Sequence, residues 1–170
     1  NDMVVDSMGS LYMHNPHLFL GQVKRDNIRF VINNYKPFEK GYRKNKTEQT
    51  VEFIKAANEN HLKTVVYAPY TRHVRDIIDQ VQDIAVPYYG TLNAEEKDYA
   101  YNRFKANDKL VMVCTKAFGM GVDIPDIQVI YHHAPSGLLP DYVQEVGRVA
   151  RDQNMTGFAA LNYNEKDRKS

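Results

Sequence analysis

The sequence predicts an α/β protein, doubly wound, with a mainly parallel sheet flanked by helices on both faces. Three observations carry that prediction. Stretches of strand length alternate with stretches of helical periodicity along the whole chain. Several strand candidates, Leu110–Cys114 (LVMVC) foremost, are apolar throughout rather than alternating, as strands covered on both faces are. The 170 residues, 43% hydrophobic and 25% charged, suit one well-cored domain and leave little room for a second.

Residues 1–23 lack periodicity and read as a lead-in to a domain over 24–170. Asn27–Tyr35 (NIRFVINNY) alternates Ile28, Phe30 and Ile32 against Arg29, Val31 and Asn33, a strand pattern. Pro37 and Gly41 punctuate a basic connection. A helix follows from Thr47 to about Asn60, since Val51, Ile54 and Ala57 recur every third residue. Lys63–Tyr67 is a short buried strand. Thr71 is placed to cap the next helix, whose Val74, Ile77, Ile78 and Val81 fall at i, i+3, i+4 and i+7. Val86–Tyr89 is a further strand. Asn93 with Glu96 three residues on is a capping-box pattern opening a helix to about Lys105. Leu110–Cys114, Ile127–Tyr131 and Phe158–Tyr163 complete the strands, and Pro140 starts a helix running to about Arg151.

Composition excludes several classes. The apolar content is too high and the net charge, +1, too small for a disordered chain. No apolar run approaches the roughly 20 residues of a membrane span, and no secretory signal pattern opens the chain. One cysteine, Cys114, permits neither an internal disulfide framework nor a Cys-ligated zinc site, so no metal ligands are assigned and a reducing, cytoplasmic setting is expected. Charge is uneven, however. Residues 24–46 hold eight basic side chains against Asp26 and Glu39, a local +6 interleaved with Phe30, Tyr35, Phe38 and Tyr42. Such a strip could meet phosphates and stack bases, or could be a solvated connector.

In doubly wound sheets ligands sit at the carboxyl ends of the strands, which directs attention to the segments after Cys114 and around Pro140. Thr115–Asp123 (TKAFGMGVD) offers a hydroxyl at Thr115, bare backbone at Gly119 and Gly121, and a carboxylate at Asp123 suited to sugar hydroxyls. It could equally be a plain turn between strands. In the Pro140 helix, Gln144, Arg148 and Arg151 lie at i, i+4 and i+7, within about 60° of one another, with Val143, Val146 and Ala150 on the other side. Two guanidinium forks beside an amide suit phosphate, though pairing with Glu145 or Asp152 would give an ordinary charged face. His132 and His133 end a strand, where alternation turns their rings to opposite faces and speaks against shared metal ligation.

Three segments in order give a further signal. KTVVYAPYTR (Lys63–Arg72), VMVCTKAFGMGVDIPDIQVIYH (Val111–His132) and QEVGRVARD (Gln144–Asp152) resemble the fourth, fifth and sixth motifs of the second RecA-like lobe of superfamily 2 helicases, and the Ala-Phe-Gly-Met-Gly string resembles the RecQ-type DNA helicase branch. YYGTLNAEEK and RDNIRF are similar to intervening and entry segments of that lobe, so the likeness covers roughly residues 20–165.

The resemblance implies a RecA-like fold and a role for each matching position. Arg148 and Arg151 would be arginine fingers toward the γ-phosphate of ATP, which with Mg2+ would be held mainly by an N-terminal RecA-like lobe. Gln144 would couple nucleotide to lobe closure, and Asp123 would contact the ribose, with Gly119 and Gly121 allowing the close turn. Thr115, Lys116, Tyr70 and Thr71 would lie on the track of single-stranded DNA. It further implies unwinding of duplex DNA with 3′→5′ polarity, roles in repair and recombination, and a nucleoid-associated location. Departures from the family pattern are Ala150 and Gln153 in place of glycines, Tyr89 in place of a histidine, and Ala68-Pro69 in place of a Cys-containing turn. The chain has no G-x-x-x-x-G-K-S/T phosphate loop and no Asp-Glu acidic box, both first-lobe features, so residues 1–23 are expected to link from that lobe and the chain alone is expected not to hydrolyse ATP. An RNA-directed lobe of the same superfamily, or a helicase-like module kept only for binding or regulation, are the alternatives.

Overall fold

A computed structural model describes residues 28–35, 42–118, 124, 126–134 and 157–164. The strands are β1 (Ile28–Tyr35), β2 (Thr64–Tyr67), β3 (Ala85–Tyr88), β4 (Val111–Cys114), β5 (Val129–His132) and β6 (Gly157–Asn164); the helices are α1 (Tyr42–Glu59), α2 (Thr71–Val81) and α3 (Ala94–Lys105). The strands form one sheet in the order β1-β6-β5-β2-β4-β3, and every pairing is parallel. The predicted α/β doubly wound architecture is therefore observed. The helix expected from Pro140 and the lead-in over residues 1–23 lie outside the described residues.

Successive strand residues enter two separate cores. Val66, Val111, Val113, Val129, Tyr131 and Ala160 pack with Val51, Ile54 and Ala57 of α1 and Val74, Ile77 and Val81 of α2. Their neighbours Val65, Tyr67, Met112, Cys114, Ile130 and Ala159 pack with Ala100 and Phe104 of α3. Helices thus cover both faces, which is why these strands carry apolar side chains at consecutive positions. Cys114 is fully buried and its thiol points at the Val66 carbonyl, 3.5 Å away, consistent with a packing role. Strand β3 ends the sheet, and its Pro87, lacking an N–H, suits an edge.

The helix boundaries follow local chemistry, with two differences from expectation. Helix α1 begins at Tyr42 rather than Thr47, because its first turn, YRKN, has no apolar stripe to register as periodicity. The N-cap of α2 is Tyr70, in extended conformation and without a side-chain cap bond, and Thr71 is the first helical residue rather than the cap. The α3 start is as predicted: Asn93 accepts from the Glu96 N–H at 2.8 Å. Both α1 and α3 end in left-handed residues, His61 (φ 57°) and Asn107 (φ 64°), at the position where glycine is usual. Paired bonds close each end: His61 N–H to Asn58 O and Leu62 N–H to Ala57 O, then Asn107 N–H to Phe104 O and Asp108 N–H to Arg103 O. These satisfy carbonyls that the helix leaves open.

Lys63 closes the amino-terminal edge of the sheet. Its ammonium donates to Asn107 Oδ1 at 2.8 Å and to Asp126 at 3.3 Å, and lies 4.7 Å from the centre of the Phe104 ring. Burial lowers its pKa from 10.5, and Asp126 offsets part of that shift.

Candidate functional site

At the opposite edge the strands end together, and backbone bonds carry the ladder one step past them. His133 N–H donates to Tyr67 O at 2.8 Å, Ala68 N–H to Cys114 O at 2.8 Å, and Thr115 N–H to Tyr88 O at 3.1 Å. These bonds fix where the segments after β2, β4 and β5 leave the sheet. The exposed residues that follow are therefore held on a rigid rim.

After β4 the chain makes a tight turn. Ala117 N–H donates to Thr115 Oγ1 at 3.4 Å and Phe118 N–H to Thr115 O at 3.2 Å. Phe118 is buried and anchors the turn, with Tyr88 and Phe104 rings 5.3 and 6.2 Å away. Thr115 is left half-buried, and Lys116 and Ala117 are exposed. Ala117 Cβ lies 4.0 Å from where a Cβ on Gly90 would stand, so the segment after β3 runs beside this turn.

After β2, Pro69 and Tyr70 turn the chain into α2. Tyr70 is 55% exposed, with its ring edge toward His73 at 5.4 Å and the Arg72 guanidinium 4.7 Å from its centre. Because Val74, Ile77 and Val81 are buried, α2 is seated firmly and Arg72 and Arg75 stand exposed. Tyr70, Thr71, Thr115 and Lys116 thus come together on one rim, at the ends of the neighbouring strands β2 and β4. Gly119, Gly121, Asp123, Gln144, Arg148 and Arg151 lie outside the described residues.

Beneath Tyr70 sits a buried polar cluster that no periodicity or motif in the sequence marks. Thr50 on α1 donates to Tyr131 Oη at 3.2 Å and lies 2.7 Å from His133 Nδ1. With the Thr50 hydrogen on Tyr131, the proton of a neutral His133 belongs on Nδ1. His133 is neutral in the fold: burial pushes its pKa well below 6.5, and Lys46 and His73 push the same way. Its ring is 5.3 Å from that of His73, on α2. His132 faces the other way and stacks on Tyr67 at 5.4 Å, so the two rings diverge as alternation predicts. Among the described residues no group of three or more His, Cys, Asp or Glu could hold a metal, and no helix is long and apolar enough to cross a membrane.

The family described as helicase conserved C-terminal domain matches residues 45–153. The chain is 30% identical over 167 residues to the RecQ-like DNA helicase BLM of Xenopus laevis, covering 95% of this chain and 12% of that protein. It is 30% identical over 111 residues to the ATP-dependent DNA helicase Q1 of Mus musculus, covering 64% of this chain and 17% of that one. The chain therefore spans less than a fifth of the length of these relatives. Its fold is similar to that in a crystal structure of the DUF1998 helicase MrfA bound to DNA and AMPPNP, with a TM-score of 0.70 and 24% identity over 84% of this chain and 21% of that one.

Proposed function

The chain belongs to the helicase conserved C-terminal domain family and fits the C-terminal lobe of RecQ-type helicases, and from that premise we propose that it is the second motor lobe of an ATP-dependent DNA helicase. One observation supports the proposal most: Tyr70 and Thr71 after β2, and Thr115 and Lys116 after β4, share the ligand-binding rim of a parallel sheet. An aromatic ring, hydroxyls and an ammonium on a rigid edge suit a single strand, whose bases stack and whose phosphates take hydrogen bonds and charge.

In this reading ATP and Mg2+ are held mainly by an N-terminal RecA-like lobe, and nucleotide binding draws the two lobes together. Hydrolysis of the γ-phosphate releases them. Arg148 and Arg151 offer guanidiniums to the charge that develops on the γ-phosphate. Gln144 links the nucleotide to closure, Asp123 takes the ribose, and Gly119 and Gly121 keep the turn between them clear. Alternating grip on the strand then moves the motor along DNA, 3′→5′.

The test joins this lobe to its N-terminal partner lobe and measures ATP turnover with poly(dT) and with poly(U). Stronger stimulation by poly(dT), with no turnover by the 170-residue chain alone, is expected. Stronger stimulation by poly(U) would reassign the lobe to RNA. Turnover by the chain alone would contradict the division of labour.

A further inference from the structure

Helices α2 and α3 treat their amino termini in opposite ways. Helix α3 has Asn93 as cap and Glu95 and Glu96 in its first turn, the arrangement that the helix dipole favours. Helix α2 has Tyr70 as cap with no side-chain cap bond and no acidic residue in its first turn; Arg72 stands there instead, and Arg75 opens the second turn. A cation in the first turn opposes the dipole, so Arg72 is not placed for helix stability.

The pairing of both arginines is also unusual for a charged helix face. Asp76 and Asp79 stand four residues beyond Arg72 and Arg75, a spacing that normally forms ion pairs. Among the described residues neither arginine is bridged to a carboxylate. Side chains on a helix lean toward its amino terminus, which carries both guanidiniums toward the rim where α2 begins. Each settles on a tyrosine there. Arg72 lies 4.7 Å from the Tyr70 ring centre, while Arg75 lies 5.4 Å from that of Tyr89 and donates from Nε to its hydroxyl at 3.4 Å. Stacking on a ring fixes a guanidinium while leaving N–H edges open to an acceptor. Tyr89 follows β3, so this pair lies farther out than Tyr70, toward the sheet edge.

We infer that Arg75, held on Tyr89, is a phosphodiester-binding site that continues the nucleic-acid track from the β2 and β4 rim toward β3, with Arg72 on Tyr70 at the β2 end of that track. The inference rests on the DNA reading above and extends it to residues with no part in that reading. Its ligand is the backbone of the strand, recognised by charge and not by base sequence.

Binding of the 170-residue chain to fluorescent poly(dT) is measured by anisotropy over a series of salt concentrations. Arg75→Gln is expected to weaken binding about three- to tenfold and to flatten the salt dependence by close to one phosphate contact, about 0.7 in slope for a single strand. Tyr89→Phe, which keeps the ring and loses the hydroxyl, is expected to fall between. Arg103→Gln is the control, because Arg103 also lies on a tyrosine, Tyr99 at 5.0 Å, but bridges Asp108 and sits on α3 across the sheet. It is expected to change nothing. Arg75→Glu separates ligand from structure: melting temperature is expected to hold or rise as binding falls. Salt-dependent binding that Arg75→Gln leaves at the wild-type slope would overturn this inference while keeping the DNA reading. Absence of any salt-dependent binding by the wild-type chain would overturn both.

Discussion

Replacing Thr50 by valine tests the buried cluster beneath the rim. The two side chains are nearly the same size, so no cavity opens, and their helix propensities are close. What changes is the hydroxyl. It is fully buried and stands 2.7 Å from His133 Nδ1 and 3.2 Å from Tyr131 Oη. Without it the Nδ1–H of a buried, neutral imidazole loses its acceptor, a loss of about 1–3 kcal/mol. At about 2–4 °C per kcal/mol for a chain of this size, the melting temperature should fall by several degrees. Thr50→Ser keeps the hydroxyl and sheds a methyl, and should cost about 0.5–1.5 kcal/mol, by analogy with trimming one buried methyl. Urea titrations of the three proteins, with a shared slope to show that only stability has moved, provide the measurement. Valine as stable as wild type, with serine the weaker variant, would refute the hydrogen-bonded account and leave a cluster held by packing alone.

Further outcomes follow from the same geometry. His133 is held neutral with its pKa well below 6.5, so the unfolded chain binds that proton more readily than the folded one. Its contribution is present above pH 6.5 and is lost as pH falls from there toward the folded value; His133→Asn should flatten the acid limb of a stability-versus-pH curve. Lys63 has the opposite range but the same sign. Its pKa is lowered by burial, so stability should rise as pH climbs toward 10.5, and Lys63→Met should abolish that rise. Because the Asp126 side chain is 47% exposed and can be hydrated alone, Lys63→Met should change stability by no more than about 1 kcal/mol. Lys63→Ala, which also removes the stem beside Phe104, should cost about 1–3 kcal/mol in the same urea titration. His61→Gly relieves a left-handed residue at the end of α1 and should stabilise by about 0.5–1 kcal/mol, read as a higher urea midpoint.

The parts of the fold legible beforehand were those set by neighbours in sequence. Burial on both faces made LVMVC apolar throughout, and an eleven-residue helix with one buried stripe made the Val74–Ile77–Val81 spacing visible. Asn93 announced α3 because a cap acts within three residues. Features that join distant segments left no such trace. Lys63 meets Asn107 and Asp126 across separations of 44 and 63 residues, and Thr50 meets His133 across 83. No periodicity encodes those pairings. The Tyr70 cap leaves no mark in the sequence, because caps are signalled by short polar side chains and here the extended backbone serves without one. At the rim, motif order and the strand-end rule sufficed to bring Tyr70, Thr71, Thr115 and Lys116 together. Arg75 on Tyr89 needed more, because its placement follows from β3 lying outside β4. The i, i+3 spacing of Arg72 and Arg75 was readable, but not the tyrosine on which Arg75 would rest.

The central proposal is that this lobe completes an ATP site on a partner lobe. Its most direct test is single-turnover ATP hydrolysis by the joined lobes, held in saturating excess over ATP with saturating poly(dT), and Arg148→Ala and Arg151→Ala compared with wild type. The account predicts a loss of about a hundredfold or more in the hydrolysis rate for each variant, with poly(dT) affinity retained. Unchanged hydrolysis in both would contradict it and point instead to a helicase-like lobe that binds without driving a motor.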